Sequence, residues 1–565
     1  MNRNTENHFA SVPRINIDRT KINMEPFIHK TSFNMGKLIP FYVNADILPG
    51  QTDKITTSIV LRMTTPKATT MDNLYADIYY FFTPNRILWT HWRELMGENR
   101  ETAWFQQTEY TTPQFKTTET TTSEKGTTLD YMGIPTGIIG IEFSQLPLRA
   151  YTKIWNEFFR DQNVRAPATE YDDDATRAPN TTNGELNLLP VYKFHDYFTS
   201  CLPAPQKGEA VTLPIGSEAP ILAKDGLSGM RVSTALPLHD NTIGANKVPL
   251  SWRGTSANPD PFMTGRIGIN GGSAPETTKL ISESLGAGTQ TDIRPINLYG
   301  NVSDIYADLT QATAATMNAL RLAGAIQLIL EADARGGTRY TELNKTFFGV
   351  TTPDAQWRPE YLGGKRIPIS LSQIVQVSQT DNTPMGTTAG YSLTVDTHHS
   401  FTKSYAEHGV VLGLICIRQD HTYQQGLERG WSRKRRFDYY LKPLAHLGEQ
   451  PVLNKEIKAT GNPANDEGTF GFQEAWAEYR YKPNRISGAM RSTYSVPLDI
   501  WHYGDIYEDT PVLSDEWLQE TPEFVDRTLQ IPSTLEDQFI ADIAVQNTCV
   551  LPMPLYSIPG LFDHF

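Results

Sequence analysis

The chain has 565 residues and a formal net charge of -13 at pH 7. Its 39% hydrophobic and 10% aromatic content, with 40 Gly and 37 Pro, favours a turn-rich globular β protein and excludes a disordered chain. The longest apolar run, 410–417, is too short to span a bilayer, and residues 1–11 lack the apolar stretch of a signal peptide. We therefore expect a protein made and kept in a cytosol, without membrane insertion.

The first 204 residues are predicted to hold a basic arm and the first part of a β core. Residues 1–40 contain six Lys or Arg and three Asp or Glu, a balance of +3, which predicts an extended basic arm. Within 41–204, apolar and polar side chains alternate over 54–63, and 74–82 is rich in aromatic residues. Both segments are predicted strands.

Composition indicates two insertions in this core. Residues 108–128 contain ten Thr and almost no large apolar side chain, which predicts an exposed loop. Residues 205–297 carry twelve of the 40 Gly and nine of the 37 Pro, with Trp252 and Phe262 as their aromatic residues. This second insertion is predicted to be a separate subdomain built from loops.

The remainder of the core is predicted at 298–504. Apolar residues of 312–333 share one helical face, so we expect a helix that packs against the sheet and ends at Gly336-Gly337. A shorter helix, buried by its aromatic side chains, is expected at 154–159. Three later segments have the composition of strands: 410–417, 472–481 and 498–503.

The segment 471–488 indicates contact with another protein. Small and aromatic side chains alternate with larger charged ones, with the period of two expected of a strand. One face suits a sandwich core, and the other combines a Trp with ionised groups, a mixture suited to an interface. The candidate subunit-interface residues are Trp476, Glu478 and Arg480.

The sequence shows no signature of catalysis, cofactor binding or metal binding, so we do not expect an enzyme. Residues 363–365 (Gly-Gly-Lys) lack the flanking residues of a phosphate-binding loop and predict a turn. The carboxylates of 172–174 predict a solvated loop, and the adjacent His398 and His399 would diverge on a strand. The three cysteines are far apart without metal-ligand spacing, which predicts buried free thiols.

A basic run beside aromatic residues is the candidate for nucleic-acid contact. Arg433, Lys434, Arg435 and Arg436 would neutralise phosphates, and neighbouring rings such as Trp431 would stack on unpaired bases. A solvated charged face or a subunit salt-bridge site is the alternative for the same residues.

The C-terminal segment 505–565 is predicted to be acidic and extended. Residues 505–542 hold eleven Asp or Glu and one basic residue, a balance of -10, so the rest of the chain carries about -3. We favour an outward or interface surface kept away from nucleic-acid phosphates. The alternative is a divalent-cation site that stabilises contacts between subunits.

Seven segments, in this order along the chain, resemble one protein family. They are FNMGKLIPFYVNADILPG (33–50), NLYADIYYFFTPNRILW (73–89), LEADARGGTRYTE (330–342), PEYLGGKRIPI (359–369), EHGVVLGLICIRQDHTYQQGLER (407–429), GFQEAWAEYRYKPNRISG (471–488) and LDIWHYGD (498–505). Together they are similar to the major capsid proteins of gokushoviruses, which are small bacteriophages of the Microviridae. No single segment is a specific motif, but the order of the seven segments in a chain of this length is specific to this family.

This resemblance implies an eight-stranded antiparallel jelly roll with long loop insertions and a few short helices. It implies a T=1 icosahedral capsid around a circular single-stranded DNA genome, a virion location, and assembly in the cytoplasm of the bacterial host. It also implies that 205–297 forms a protrusion at the threefold axis, used for host attachment. The receptor candidates there are Trp252, Arg253 and Phe262.

Further partners follow from charge together with the resemblance. A chain of net charge -13 neutralises little DNA, so we expect a separate small basic packaging protein, which the resemblance also implies together with a minor pilot protein. The arm is expected to reach the genome or a neighbouring subunit, and its dilution by acidic residues favours the neighbour. Its candidate contact residues are Arg3, Arg14, Arg19 and Lys21.

Two other function classes compete with the capsid interpretation. A β-sandwich with exposed loops is also typical of carbohydrate-binding or adhesin-like surface modules. The absence of an export signal and the unpaired cysteines argue against that class. A jelly-roll enzyme ranks third, because no convergent catalytic motif is present.

Overall fold

The structure is a computed structural model. It describes residues 19–100, 108–180, 184–212, 317–375 and 388–556, with six short strand segments between 221 and 307. The chain divides into two compact units, one formed by Met1–Gly208 with Leu330–Phe565 and the other by Glu209–Ile329. The two large sheets belong to the first unit.

Two antiparallel sheets are built from nine strands. These are β1 Thr20–Asn23, β2 Phe27–Phe33, β3 Ile39–Ile47, β4 Thr52–Met63, β5 Leu74–Pro84, β6 Glu360–Pro368, β7 Thr394–Ser404, β8 Gly409–Gln419 and β9 Phe539–Leu551. In the first sheet, β1 and β2 lie along β9, which is followed by β4 and then β7. The second sheet has the order β6, β5, β8, β3.

This topology is that of a jelly roll. With β1 and β2 counted as one strand position, because both pair with β9, the eight positions run 1-8-3-6 in one sheet and 5-4-7-2 in the other. In each sheet, strands from positions 1–4 therefore alternate with strands from positions 5–8, as two Greek keys require. The predicted mainly antiparallel β fold is confirmed.

The core lies between the two sheets. Buried and more exposed residues alternate along β4 and β9, because one face of the first sheet points inward. Ile59 and Ile543, which pair across these strands, belong to the same buried cluster as Ile78 and Ile415 of the second sheet. The strands predicted at 54–63 and 74–82 are confirmed, and β8 confirms the strand at 410–417.

The second sheet is buried on both faces, which explains the uninterrupted apolar run in β8. Its outer face is covered by α1, Leu146–Ile154, and the π-helical turn Trp155–Phe159 that continues it. The Tyr151 hydroxyl donates to the Leu38 carbonyl at 2.7 Å, and Trp155 Nε1 donates to the Pro190 carbonyl at 2.8 Å. The buried helix predicted at 154–159 therefore exists but begins eight residues earlier.

Of two further predicted strands, 472–481 is confirmed only over 472–474 and 498–503 is wrong. The segment 472–481 leaves the strand Thr469–Glu474 at Trp476, which has a left-handed φ of 66°, and continues as the 3-10 turn Ala477–Tyr479. A strand cannot pass through that backbone conformation, and alternation of side-chain size gives no sign of it. The segment 498–503 forms the 3-10 turn Asp499–Trp501 instead of a strand.

The predicted turn at 363–365 is also wrong, because these residues lie in β6. The strand has a bulge between Tyr361 and Gly363, and a Cβ on Gly364 would lie 2.0 Å from the Ile78 carbonyl oxygen. Glycine therefore permits close pairing with β5. Lys365 Nζ lies 2.6 Å from Asp396 Oδ1.

Two longer helices are α2, Met317–Gly336, which begins in the second unit, and α3, Tyr340–Phe348. The helix predicted at 312–333 is thus observed over its described residues, and Leu322, Ile326 and Ile329 of the predicted apolar face are exposed. Short helices complete the described part. They are Asn85–Leu88, Trp92–Leu95, Thr128–Tyr131, Asp354–Trp357, Asn454–Ile457, Pro463–Asp466, Asp515–Leu518 and Glu523–Asp526.

Three pairs of short antiparallel strands accompany the two large sheets in the first unit. They are Gln114–Lys116 with Glu142–Ser144, Leu371–Val375 with Thr388–Ser392, and Glu449–Leu453 with Thr469–Glu474. The first of these strand pairs anchors the Thr-rich segment 108–128, because Phe115 is fully buried beside Leu129 and Leu148.

All three cysteines are buried free thiols, as predicted.

Candidate nucleic-acid and subunit interface

The predicted nucleic-acid segment lies on the surface and exposes its rings. Residues 429–442 run through the 3-10 turns Arg429–Ser432 and Arg436–Asp438. Trp431 is 77% exposed, and three more rings beside the cationic side chains are exposed as well. These are Phe437, Tyr439 and Tyr440. Large exposed aromatic side chains at this density are typical of a binding surface.

The four cations of the predicted run have different environments. Arg433 is only 13% exposed, donates to Glu478 Oε1 at 2.8 Å and lies over the Tyr479 ring at 4.6 Å, so it is held within the chain. Lys434, Arg435 and Arg436 are exposed. The backbone N–H groups of Lys434 and Arg435 donate to Asp438 Oδ2 at 2.8 and 2.7 Å, and these bonds lower the pKa of that carboxyl.

A second segment that the sequence interpretation did not assign to this surface, 479–485, adds to it. Tyr479, Tyr481 and Arg485 are exposed. The two segments share a cavity of about 190 Å³. We call residues 429–442 and 479–485 together the basic–aromatic surface. The sequence signal is the mixture of Tyr, Arg and Lys at 479–485, which the interpretation as an alternating strand obscured.

Ion pairs between its arginines and two partly or fully buried glutamates fix the basic–aromatic surface to the rest of the chain. The buried Glu456 accepts from the Tyr197 hydroxyl at 2.9 Å, the Leu453 N–H at 3.0 Å and Arg429 Nη1 at 3.2 Å. Burial raises the pKa of Glu456, although Arg429 and these hydrogen bonds oppose the shift. Glu478 accepts a hydrogen bond from Arg433 on Oε1. Its Oε2 accepts a hydrogen bond from Gln450 Nε2 at 2.9 Å.

All three candidate interface residues make contacts inside the chain, and only Arg480 is exposed as well. Trp476 is 7% exposed, and its Nε1 donates to the Leu444 carbonyl at 2.7 Å. Glu478 forms the ion pair with Arg433 described above. Arg480 is exposed and pairs with Glu474. The available contact surface here is therefore Arg480 and the neighbouring tyrosines.

The other candidates are divided between described and undescribed segments. Arg19 and Lys21 are exposed, and Lys21 lies in β1 opposite Val550. Part of the predicted arm, residues 20–33, thus belongs to the first sheet. The remaining candidates lie outside the described residues: Arg3, Arg14, Trp252, Arg253 and Phe262.

The acidic segment 505–542 is partly buried, which the sequence interpretation did not foresee. Asp505 Oδ1 lies 2.8 Å from His421 Nδ1, and Glu520 Oε2 lies 3.0 Å from His421 Nε2. Lys193 Nζ lies 3.5 Å from Asp505 Oδ2, which also accepts from the Tyr507 hydroxyl at 2.7 Å. We call these five residues the acidic network.

Opposite charges within the acidic network shift the pKa values of His421 and Asp505. Burial lowers the pKa of His421, but the two carboxylates outweigh it and raise that pKa to about 10. Burial acts to raise the pKa of Asp505, but His421 and Lys193 hold it well below its ordinary value. The network is therefore charged and internally paired at neutral pH.

Other acidic side chains of this segment are also engaged within the chain. Asp515 pairs with Arg165 at 2.9 Å and accepts from the Tyr192 hydroxyl at 2.6 Å. Asp526 accepts from Gln538 Nε2 at 2.6 Å. Across the part of the chain that the structure describes, no three His, Cys, Asp or Glu side chains are grouped to hold a metal ion.

A jelly roll with long insertions is an architecture of viral shell proteins, which share it with lectin domains. A family model described as "Capsid protein (F protein)" matches residues 10–561, so the chain belongs to this capsid-protein family. The chain is similar to Capsid protein VP1 of Chlamydia phage 1, with 36% identity over 98% of both chains. It is also 35% identical to VP1 of Bdellovibrio phage phiMH2K over 100% of this chain and 99% of that one, and 37% identical to VP1 of Spiroplasma virus 4 over 96% of both.

These comparisons confirm the resemblance to gokushovirus capsid proteins. The chain is a structural component of a virion and belongs to a family of shell proteins, not of enzymes. Within the described residues, no helix is both long and apolar enough to cross a membrane.

Proposed function

We propose that this capsid protein assembles into a T=1 icosahedral shell that encloses a circular single-stranded DNA genome, and that the basic–aromatic surface contacts this DNA. The observation that carries the proposal is the exposure of Trp431 and Phe437 beside the cations of 434–436. Cations neutralise phosphates, while exposed rings gain energy only from bases that are not already paired. This combination favours single strands over a duplex.

Self-assembly is supported by exposed apolar side chains on the outward face of the first sheet. Ile28, Val60, Val395 and Ile540 are exposed there, and Val60 lies opposite Val395 in the strand register. Burying apolar area against a neighbour contributes about 25 cal/mol per Å², and repeated contacts reinforce one another in a closed shell. Arg480 is proposed as a further contact with a neighbouring subunit.

The remaining partners are proposed from charge and position. With a net charge of -13, the shell neutralises little DNA, which supports a separate small basic packaging protein, with a minor pilot protein beside it. Residues 1–18 of the arm are proposed to contact a neighbouring subunit. The insertion 205–297, with Trp252, Arg253 and Phe262, is proposed to attach the particle to a host receptor.

Sedimentation of the protein expressed in its bacterial host, followed by electron microscopy of the fastest fraction, tests the assembly. The expected result is closed spherical particles whose single-stranded DNA is protected from nuclease. A monomer or small oligomer in a lysate that contains all phage proteins would contradict the proposal and favour an adhesin-like surface module.

Two variants test the arm and the insertion separately. A deletion of residues 2–18 stops before the strand Thr20–Asn23, so it removes the part of the arm that precedes the first sheet and keeps the strands. Reduced particle yield with unchanged DNA content per particle would support a neighbour contact. Replacing 205–297 by a short Gly/Ser linker should leave particles that assemble but fail to attach, and normal attachment would contradict the receptor role.

A further inference from the structure

The cavity within the basic–aromatic surface has the features of a ligand site. Tyr479 and Tyr481 are exposed at its mouth, while Phe198 and Tyr423 are buried in its wall. Its volume of about 190 Å³ suits one planar aromatic group. Concave sites lined by rings with a few polar groups are typical of small aromatic ligands.

The charges around the cavity select against a cationic ligand. Three carboxylates in the lining are each paired with an arginine; the pairs are Glu428 with Arg485, Glu456 with Arg429, and Glu478 with Arg433. Lys482 adds a positive charge in the lining, and the cations of 434–436 lie close by along the chain. A lysine or arginine side chain of a partner would meet net positive charge at the entrance, whereas a phosphate would be attracted.

The polar groups of the lining suit the edge of a nucleobase. Each oxygen of the Glu478 carboxylate accepts one short hydrogen bond within the chain, from Arg433 and from Gln450, which leaves acceptor capacity on both oxygens. Carboxylates accept hydrogen bonds from exocyclic amino groups, such as N4 of cytosine. Thymine carries no such amino group.

We infer that this cavity binds one base of the single-stranded genome, stacked on Tyr481, with a preference for bases that carry an exocyclic amino group. Arg485 and Lys482 at the mouth hold the adjoining phosphate. This inference rests on the proposed contact between the basic–aromatic surface and DNA and assigns it a base-binding subsite.

Fluorescence anisotropy of unassembled, full-length subunits tests the inference. The probes are short homopolymers of deoxycytidine and of thymidine, of equal length, titrated at several salt concentrations. Wild type should bind the deoxycytidine polymer more tightly. Tyr481→Ala should weaken that binding about tenfold, with an unchanged salt slope, because stacking is lost and no charge is removed.

Three further variants separate stacking from charge and from damage to the fold. Tyr481→Phe keeps the ring and should bind as wild type does. Arg485→Gln should reduce the salt slope by about one, because one phosphate contact is lost. The control is Tyr494→Ala, an exposed tyrosine outside the cavity lining, which should change neither affinity nor slope.

The outcomes distinguish this inference from the proposed function. If wild type binds both polymers and Tyr481→Ala changes neither affinity, the base subsite is refuted while the DNA contact stands. If wild type binds neither polymer, both are refuted. If Tyr481→Ala leaves DNA binding intact but weakens subunit association, the cavity belongs to a neighbouring copy and the inference is wrong.

Discussion

The basic segment 429–442 and the acidic segment 505–542 are both runs of like charge, yet they have opposite environments in the fold. Asp505 and Glu520 are buried against His421, whereas Trp431 and its cationic neighbours stay at the surface. A charged segment turns inward when the fold supplies partners of opposite charge with suitable geometry. A run that lacks them remains available to an external ligand, here the proposed DNA.

Removing the imidazole at the centre of the acidic network tests whether its buried ion pairs stabilise the fold. His421→Ala should lower the free energy of unfolding by about 3–5 kcal/mol, because the buried Glu520 then loses its ion-pair partner and the buried Asp505 keeps only Lys193 as a cationic partner. Urea unfolding of unassembled subunits measures the effect. Asp509→Asn, an exposed position in the same segment, should change it by less than about 0.5 kcal/mol, and equal effects would show that the network contributes little.

The same network predicts a loss of stability at alkaline pH. Because the pKa of His421 is raised to about 10 from 6.5, its contribution is complete below about pH 6.5 and is lost as the pH rises through 10. Asp505 has a lowered pKa, so its contribution is lost instead as the pH falls below about 4. Lys193, Tyr507 and Glu520 face the same site and remain in place in the test variant.

Unfolding measured from pH 6 to 10 checks this expectation. Wild type should lose stability steadily above pH 6.5. His421→Gln, which lacks the titrating ring, should show a flatter profile over this range. Parallel profiles for the two proteins would contradict the assignment.

Within the basic segment, Arg433 and its three cationic neighbours should respond differently to substitution. Arg433→Ala should destabilise the subunit by about 1–3 kcal/mol, because Glu478 loses its closest charged partner. Replacing Lys434, Arg435 and Arg436 together by Ala should leave stability within about 0.5 kcal/mol of wild type but reduce the salt slope of single-strand binding by about two to three. A stability loss in the triple variant equal to that of Arg433→Ala would contradict this division.

The smallest expected effect concerns divalent cations. Asp505, Asp515 and Glu520 of this segment are engaged in ion pairs, and the described residues form no metal-binding group. Chelator treatment should therefore leave the melting temperature of purified particles unchanged. A marked decrease, reversed by added calcium or magnesium, would support the cation alternative for 505–542.

The sequence predicted what depends on local pattern. The alternation of 54–63 and the apolar run 410–417 are local properties, and both segments are strands. The family followed from the order of seven segments, which no single element shows. The candidate cations at 434–436 were found by composition, and the structure exposes them.

Local sequence patterns did not predict contacts between residues far apart in the sequence or unusual backbone conformations. His421 meets Asp505 and Glu520 across sequence separations of 84 and 99 residues, so nothing local marks the network. The left-handed backbone of Trp476 ends a strand in a conformation that glycine or asparagine would have indicated. Because Arg433 is paired with Glu478 through tertiary contact, its basic run looked uniform from the sequence.

An icosahedral reconstruction of filled particles by cryo-electron microscopy would show whether the basic–aromatic surface contacts packaged single-stranded DNA. Residues 429–442 and 479–485 are expected to line the interior, with nucleotide density against Trp431 and Phe437. Finding this surface on the outside of the particle, or buried between subunits without nucleotide density, would contradict this expectation.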